Sequence, residues 1–210
     1  MTRPILYSFR RCPYAIRARL AIASAGVEVT LREILLRDKP EAFLAASPSA
    51  TVPCLVTVAG ESIDESYDVM RWALGQNDPE ELLDMAEMSE ALIAEADGPF
   101  KAALDHTKYA SRHPELDAEV ERAKAMTFIA KLDAQIAGRD WLFGAVPKLA
   151  DFAILPFVRQ FAMIDKARFD AEARESVVAW LDRFLVSDRL AAVMVKHPPW
   201  APGDAETRFP

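Results

Sequence analysis

Short apolar runs alternate with helical spacing over the first 75 or so residues, and helical spacing alone follows. Pro4 to Phe9 reads as a strand and Pro13 to Ala25 as a helix closed by Gly26, together a β-α unit. Val27 to Ile34 predicts a second strand and Pro40 to Ala46 a short helix. Cys54 to Val58 and Ser62-Ile63, joined at Ala59-Gly60-Glu61, predict a hairpin, and Ser66 to Gly75 a further helix. Gln76-Asn77-Asp78-Pro79 then breaks the pattern with turn residues and a proline, which places a domain boundary there. Two domains are expected, residues 1–76 and 80–210.

Beyond the boundary, helices are expected at roughly 80–110, 115–137, 149–163 and 173–187, with a short one around 188–195 and no comparable strand signal. Val177, Val178, Trp180, Leu181, Phe184 and Leu185 share one face at three- and four-residue spacing, so that face packs into a core and its aromatics read as packing. Pro156 lies inside the third of these helices, where its ring is expected to kink the axis. The proline-rich tail Lys196 to Pro210, carrying Trp200, fits either packing back onto the body or disorder. The fold class is α/β followed by all-α.

Composition narrows the function. Apolar residues make up 51% of the 210 and charged residues 27%, enough to bury a core in each domain. The net charge of −7 and a pI near 5.1 exclude general nucleic-acid binding, which needs clustered Lys and Arg. No run of eighteen apolar residues exists, and Met1-Thr2-Arg3-Pro4-Ile5-Leu6 leads into a strand pattern in place of a signal-peptide core. No membrane span and a cytoplasmic location are therefore expected. Cys12 and Cys54 imply no disulfide framework, and a reducing compartment leaves both as thiols. His106, His113 and His197 show no ligand spacing, so no metal is expected.

The chemistry concentrates at Cys12. In Tyr7-Ser8-Phe9-Arg10-Arg11-Cys12-Pro13-Tyr14-Ala15 the cysteine follows a strand and precedes a proline suited to a first helical turn. At a helix N-terminus, unpaired N–H groups and the helix dipole favour the thiolate, and Arg10 and Arg11 are expected to push the same way. Position 15 is Ala, so the second cysteine of a dithiol cycle is missing and an external thiol must resolve any mixed disulfide. That requirement points to glutathione. Cys54 is open to two readings, a second redox centre or a thiol buried in its strand.

Taken together these segments resemble the glutathione S-transferase superfamily, most closely its cysteine-type, omega-like members. The segment around Cys12 is similar to the omega catalytic segment, and Leu36-Arg37-Asp38-Lys39-Pro40-Glu41 to that class's strand-to-helix loop. Val52-Pro53 resembles the cis-proline loop, Glu65-Ser66 the γ-glutamyl-binding pair, and Leu142-Phe143-Gly144 through Leu149-Ala150-Asp151 the second-domain folding signature. The resemblance spans about residues 4 to 156. It implies an N-terminal thioredoxin-like domain and an all-helical C-terminal domain, glutathione as co-substrate and a homodimer. It further implies Cys12 as catalytic thiol, backbone pairing of Val52 with the cysteinyl part of glutathione, and a cis Pro53. Glu65 and Ser66 would hold the γ-glutamyl end, and Lys39 the glycine carboxylate. One position departs from the signature: Lys148 stands where the capping box has Ser or Thr, and lysine cannot accept an N–H bond, so the helix start is expected to be weaker by about 1 kcal/mol.

The expected activity is thiol transfer, with deglutathionylation and dehydroascorbate reduction as related reactions. Two alternatives stay open: a conjugating transferase activating glutathione through the Tyr7 or Ser8 hydroxyl, and a non-catalytic protein on the same scaffold. Phe100, His106, Tyr109, Phe157 and Phe161 are candidate linings for the second substrate's cleft.

Overall fold

The computed structural model describes residues 3–210; Met1 and Thr2, the first residues of the expected N-terminal domain, lie outside the described residues. The chain divides into two compact units, the first running to Leu83 and taking in Asp188–Pro210, the second Asp84–Ser187.

The first unit follows the expected β-α order: β1 (Ile5–Ser8), α1 (Pro13–Ala25), β2 (Val29–Glu33), α2 (Glu41–Ala46), β3 (Cys54–Val56), β4 (Ser62–Ile63) and α3 (Ser66–Gln76). β1 and β2 pair in parallel, with Ile5 opposite Thr30, while β3 runs antiparallel to β1, with Tyr7 opposite Cys54. The β3–β4 hairpin turns at Gly60, whose φ of 89° only glycine adopts freely. Gly26 closes α1 at φ 64°, its N–H bonding back to the last turn. α1 packs on α3, and Leu6, Ile16, Leu20, Leu55, Val69 and Met70 are at most 1% exposed.

Of the two readings open for the tail, the structure shows it packing back, and it does so on the first unit. α10 (Asp188–Val193) packs on α1, and β5 (Thr207–Phe209) joins the outer edge of β2, with Val29 opposite Phe209 and Leu31 opposite Thr207. The sheet order is β4-β3-β1-β2-β5. A three-residue strand carries no readable period; it exists because the open edge of β2 offers unpaired backbone groups.

The second unit is helical: α4 (Ser89–Glu95), α5 (Lys101–Lys108), α6 (Ala118–Ile136), α7 (Leu149–Ala162), α8 (Lys166–Glu172) and α9 (Glu175–Leu185). The single helix expected over 80–110 starts only at Ser89 and is interrupted by a π-helical turn, Ala96–Phe100, at Gly98-Pro99, where proline lacks the N–H of a regular ladder. α8 was not expected; it is short, and its start is marked by Asp165, whose carboxylate accepts from Arg168 N at 3.0 Å. Pro156 does not end α7, which continues to Ala162.

The start of α7 explains how the chain manages without a hydroxyl at position 148. Asp151 is fully buried and accepts from Lys148 N (2.9 Å), Leu142 N (3.0 Å) and Trp180 Nε1 (2.9 Å). The aspartate half of the capping box is kept, and a loop N–H and an indole from α9 share it. Burial pushes the Asp151 carboxyl up, with these three bonds pulling the other way.

Candidate active site

Pro13 occupies the first position of α1 and Cys12 its N-cap, with extended backbone (φ −72°, ψ 124°). The Cys12 amide donates to the Phe9 carbonyl at 3.0 Å, and its carbonyl receives the Ile16 N–H at 2.9 Å. Strand end, tight turn and helix start thus hold the half-buried sulfur where the N-terminal amides of a thirteen-residue helix favour negative charge. No acidic residue stands in that first turn to oppose it. The Sγ donates to the Val52 carbonyl at 3.6 Å.

Cys12 opens onto a cleft of about 490 Å³, in the range of small-molecule sites. Lys39, Val52, Pro53, Glu65 and Ser66 line the same cleft, so the six residues singled out from sequence come together in one place. Lys39 is half-buried just ahead of α2. Val52 is 7% exposed, and the Val52–Pro53 peptide is cis. Glu65 is the exposed N-cap of α3, and Ser66, 2% exposed, is its first residue.

Sequence reasoning missed Arg17. Its guanidinium, 1% exposed, donates from Nε to Ser66 Oγ at 3.0 Å and lies 5.3 Å from the ring of Tyr14, another cleft residue. Arg17 and Arg19, two arginines in the largely apolar run Ala15–Ala25, were the signal available. Asp64 also lines the cleft; its carboxylate accepts from Ser47 Oγ at 2.6 Å and Ser49 N at 2.8 Å. Burial acts to raise the Asp64 pKa, but these bonds outweigh it and hold the carboxyl below the usual range.

A cation that the sequence did not single out is also coupled to Cys12. Arg11 is exposed, 5.8 Å from the Phe9 ring. Arg19, 2% exposed, donates from Nη1 to Ser8 Oγ and from Nη2 to the Arg10 carbonyl at 2.7 Å. Burial pulls its pKa down to about 10, against the attraction of Glu33 and of the Cys12 sulfur, so it stays charged at neutral pH.

The hydroxyls of the alternative reading are occupied elsewhere. Tyr7, 2% exposed, accepts from Arg32 Nη1 at 2.6 Å and donates to the Ala42 carbonyl at 3.4 Å. Ser8 is fully buried against Arg19, and neither residue lines the cleft. Of the candidate second-substrate residues, Phe100, Phe157 and Phe161 are at most 2% exposed, with Phe100 tilted against Phe128 at 4.7 Å and edge-on to Phe161 at 5.8 Å. They are core, as apolar rings on helix faces usually are. His106 pairs with Glu121 at 2.9 Å, and Tyr109 lies under Lys108 and Arg112. Among the described residues no group of three or more His, Cys, Asp or Glu is placed to hold a metal, and no helix is long and apolar enough to cross a membrane.

The family "Glutathione S-transferase, N-terminal domain" matches residues 6–81, and "Glutathione S-transferase, C-terminal domain" matches residues 90–183. The chain belongs to the glutathione S-transferase superfamily. This glutathione S-transferase family member is omega-like: over 61 residues, 29% of this chain and 25% of the relative, it is 39% identical to glutathione S-transferase omega-1 of Sus scrofa. It thus spans about a quarter of the length of the curated omega relatives it matches. Among solved structures, glutathione transferase Omega 3C from Trametes versicolor aligns with a TM-score of 0.78 at 16% identity, covering 96% of this chain and 93% of that one. A Methylobacillus flagellatus glutathione S-transferase solved with glutathione bound aligns at 0.78 and 18% identity, covering 90% and 98%. These two likenesses establish the glutathione S-transferase fold.

Proposed function

We propose that this family member is a glutathione-dependent thiol transferase with Cys12 as its monothiol nucleophile. The observation that carries the reading is the placement of the Cys12 sulfur at the N-cap of α1, 3.6 Å from the Val52 carbonyl, inside the cleft lined by Lys39, Glu65 and Ser66. Glutathione fits these groups in kind. The Lys39 ammonium would take the glycine carboxylate, the Val52 backbone would pair with the cysteinyl unit as an added strand, and Glu65 and Ser66 at the start of α3 would take the γ-glutamyl end.

In the cycle, the Cys12 thiolate attacks the glutathionyl sulfur of a mixed disulfide. The disulfide bond breaks, and the partner leaves as a thiolate that takes up a proton. A second glutathione, as thiolate, then attacks the glutathionyl sulfur of the Cys12 adduct; the bond to Cys12 Sγ breaks, releasing glutathione disulfide and regenerating the Cys12 thiolate. Deglutathionylation of proteins uses the same chemistry. Dehydroascorbate reduction would begin with addition of the Cys12 thiolate to a carbonyl, after which a glutathione thiolate attacks Cys12 Sγ, releasing ascorbate and leaving the same Cys12–glutathione disulfide for a second glutathione to reduce. The engagement of Tyr7 and Ser8 within the protein supports thiol transfer over conjugation through a hydroxyl. A homodimer in the reducing cytoplasm completes the reading, since that compartment keeps both thiols reduced.

Thiol transfer to a glutathione mixed disulfide, assayed beside aromatic-halide conjugation, tests it. Cys12→Ala should lose thiol transfer by about a hundredfold or more, as removal of a covalent nucleophile does. Undiminished turnover in that variant would refute the assignment.

A further inference from the structure

The tail does more than close a sheet edge. Beyond β5, the Trp200 amide donates to the Glu33 carbonyl at 2.6 Å, so the tail is bonded to both ends of β2. The half-buried Trp200 ring lies 4.0 Å from the Arg32 guanidinium and edge-on to Tyr7 at 6.1 Å, and Arg32 in turn donates to the Tyr7 hydroxyl at 2.6 Å. Trp200 and Cys12 pack against one apolar cluster of Tyr7, Ile34, Phe43, Val52, Cys54 and Val56. On the polar side, the Glu33 carboxylate accepts the Arg10 amide at 2.6 Å while Arg19 holds the Arg10 carbonyl at 2.7 Å. Both backbone groups of the residue two places before the thiol are therefore clamped, and one clamp is the side chain of Glu33, which follows Arg32 on β2 and whose backbone carbonyl takes the Trp200 amide.

We infer that the Trp200 ring is a positioning residue for the Cys12 thiol, acting through Arg32 and the Tyr7 cluster, so that the tail His197–Phe209 is part of the reactive site without touching its substrate. The physical reason is geometric. A helix N-terminus favours a thiolate only within its first turn, and Cys12 keeps that station only while the Phe9–Cys12 turn is held. Arg19 adds a fixed positive charge on the same turn, whose direction depends on the Arg10 carbonyl staying in place. The tail supplies one side of this frame from residues far along the chain.

The inference deepens the thiol-transfer reading but is tested without glutathione. The pH dependence of iodoacetamide alkylation at Cys12 is followed by mass spectrometry in the full chain and in Trp200→Ala, Trp200→Leu and Trp200→Phe. Trp200→Ala and Trp200→Leu are expected to shift the alkylation midpoint up by about half a pH unit, a roughly threefold rate loss at neutral pH, and to speed exchange of the Arg10 amide. Trp200→Phe, keeping a ring for Arg32 and Tyr7, should restore most of the wild-type profile. A profile superimposable on wild type in Trp200→Ala, or in Trp200→Leu if the alanine variant does not fold, overturns the inference. Absence of thiol transfer in the wild type, with the shift still present, would sink the functional reading and leave this one standing.

Discussion

Burial holds the Cys54 thiol at a pKa of about 12, with the neighbouring Asp64 carboxylate adding to the effect, and the sulfur is fully buried and donates to the Ala46 carbonyl at 3.6 Å. Such a thiol is not a nucleophile at any working pH. Of the two readings open for Cys54, the structure therefore supports the buried thiol. Native protein is expected to show one thiol reactive toward Ellman's reagent and a second only after denaturation, and Cys54→Ala should keep thiol transfer within about twofold of wild type. A tenfold loss with the fold intact would restore Cys54 as a redox partner. Cys12 differs from it in backbone position, not in side-chain chemistry: an N-cap beside a cleft against the middle of a sheet. Arg17 and Arg19 make a related point, since both are charges taken out of water and each is matched to a polar group of the site, Ser66 for one and the Ser8–Arg10 turn for the other.

At the level of elements, the start of α7 hangs on one carboxylate. Asp151→Ala would leave the Leu142 and Lys148 amides and the Trp180 indole N–H without their acceptor in a fully buried position. Breaking such a buried charged network costs about 3 kcal/mol or more, which urea denaturation should register. A loss below about 1 kcal/mol would mean that water replaces the carboxylate. Lys148 alone suggested a weak helix start from the sequence. The compensation comes from Leu142 and Trp180, which are brought to Asp151 by tertiary packing and not by any local motif. A similar limit applies to the interrupted helix at Ala96–Phe100: Gly98-Pro99 was visible, but continuation on the far side of the π-turn depends on α5 and α6 packing together.

For the molecule as a whole, the returning tail ties the first unit together electrostatically as well. Arg189 on α10 donates to Ser24 Oγ on α1 and to the Glu80 carboxylate. Burial acts to raise the Glu80 pKa, but bonds from Arg189 and Ser24 outweigh it and hold the carboxyl below its ordinary 4.5. A carboxyl lowered in the folded state contributes stability that is present above its unfolded pKa and is lost as pH falls through the folded one. The stability gap between wild type and Arg189→Met, below about 1 kcal/mol for so exposed a pair, should therefore be full at pH 7 and close as pH drops beneath 4.5. A gap that widens in acid would contradict this sign. The β-α order and the place of Cys12 at a helix start were legible along the chain, because periodicity, proline and capping act within a few residues; Lys39, Val52, Pro53, Glu65 and Ser66 stood out as site residues only through their resemblance to the family's motifs. Strand β5, the buried stations of Arg17 and Arg19, the engagement of Tyr7 and Ser8, and the link from Trp200 to Glu33 were not. Each is a bond between residues far apart in the chain, created when a sheet edge or a buried charge finds its partner, and no local pattern encodes which partner that is.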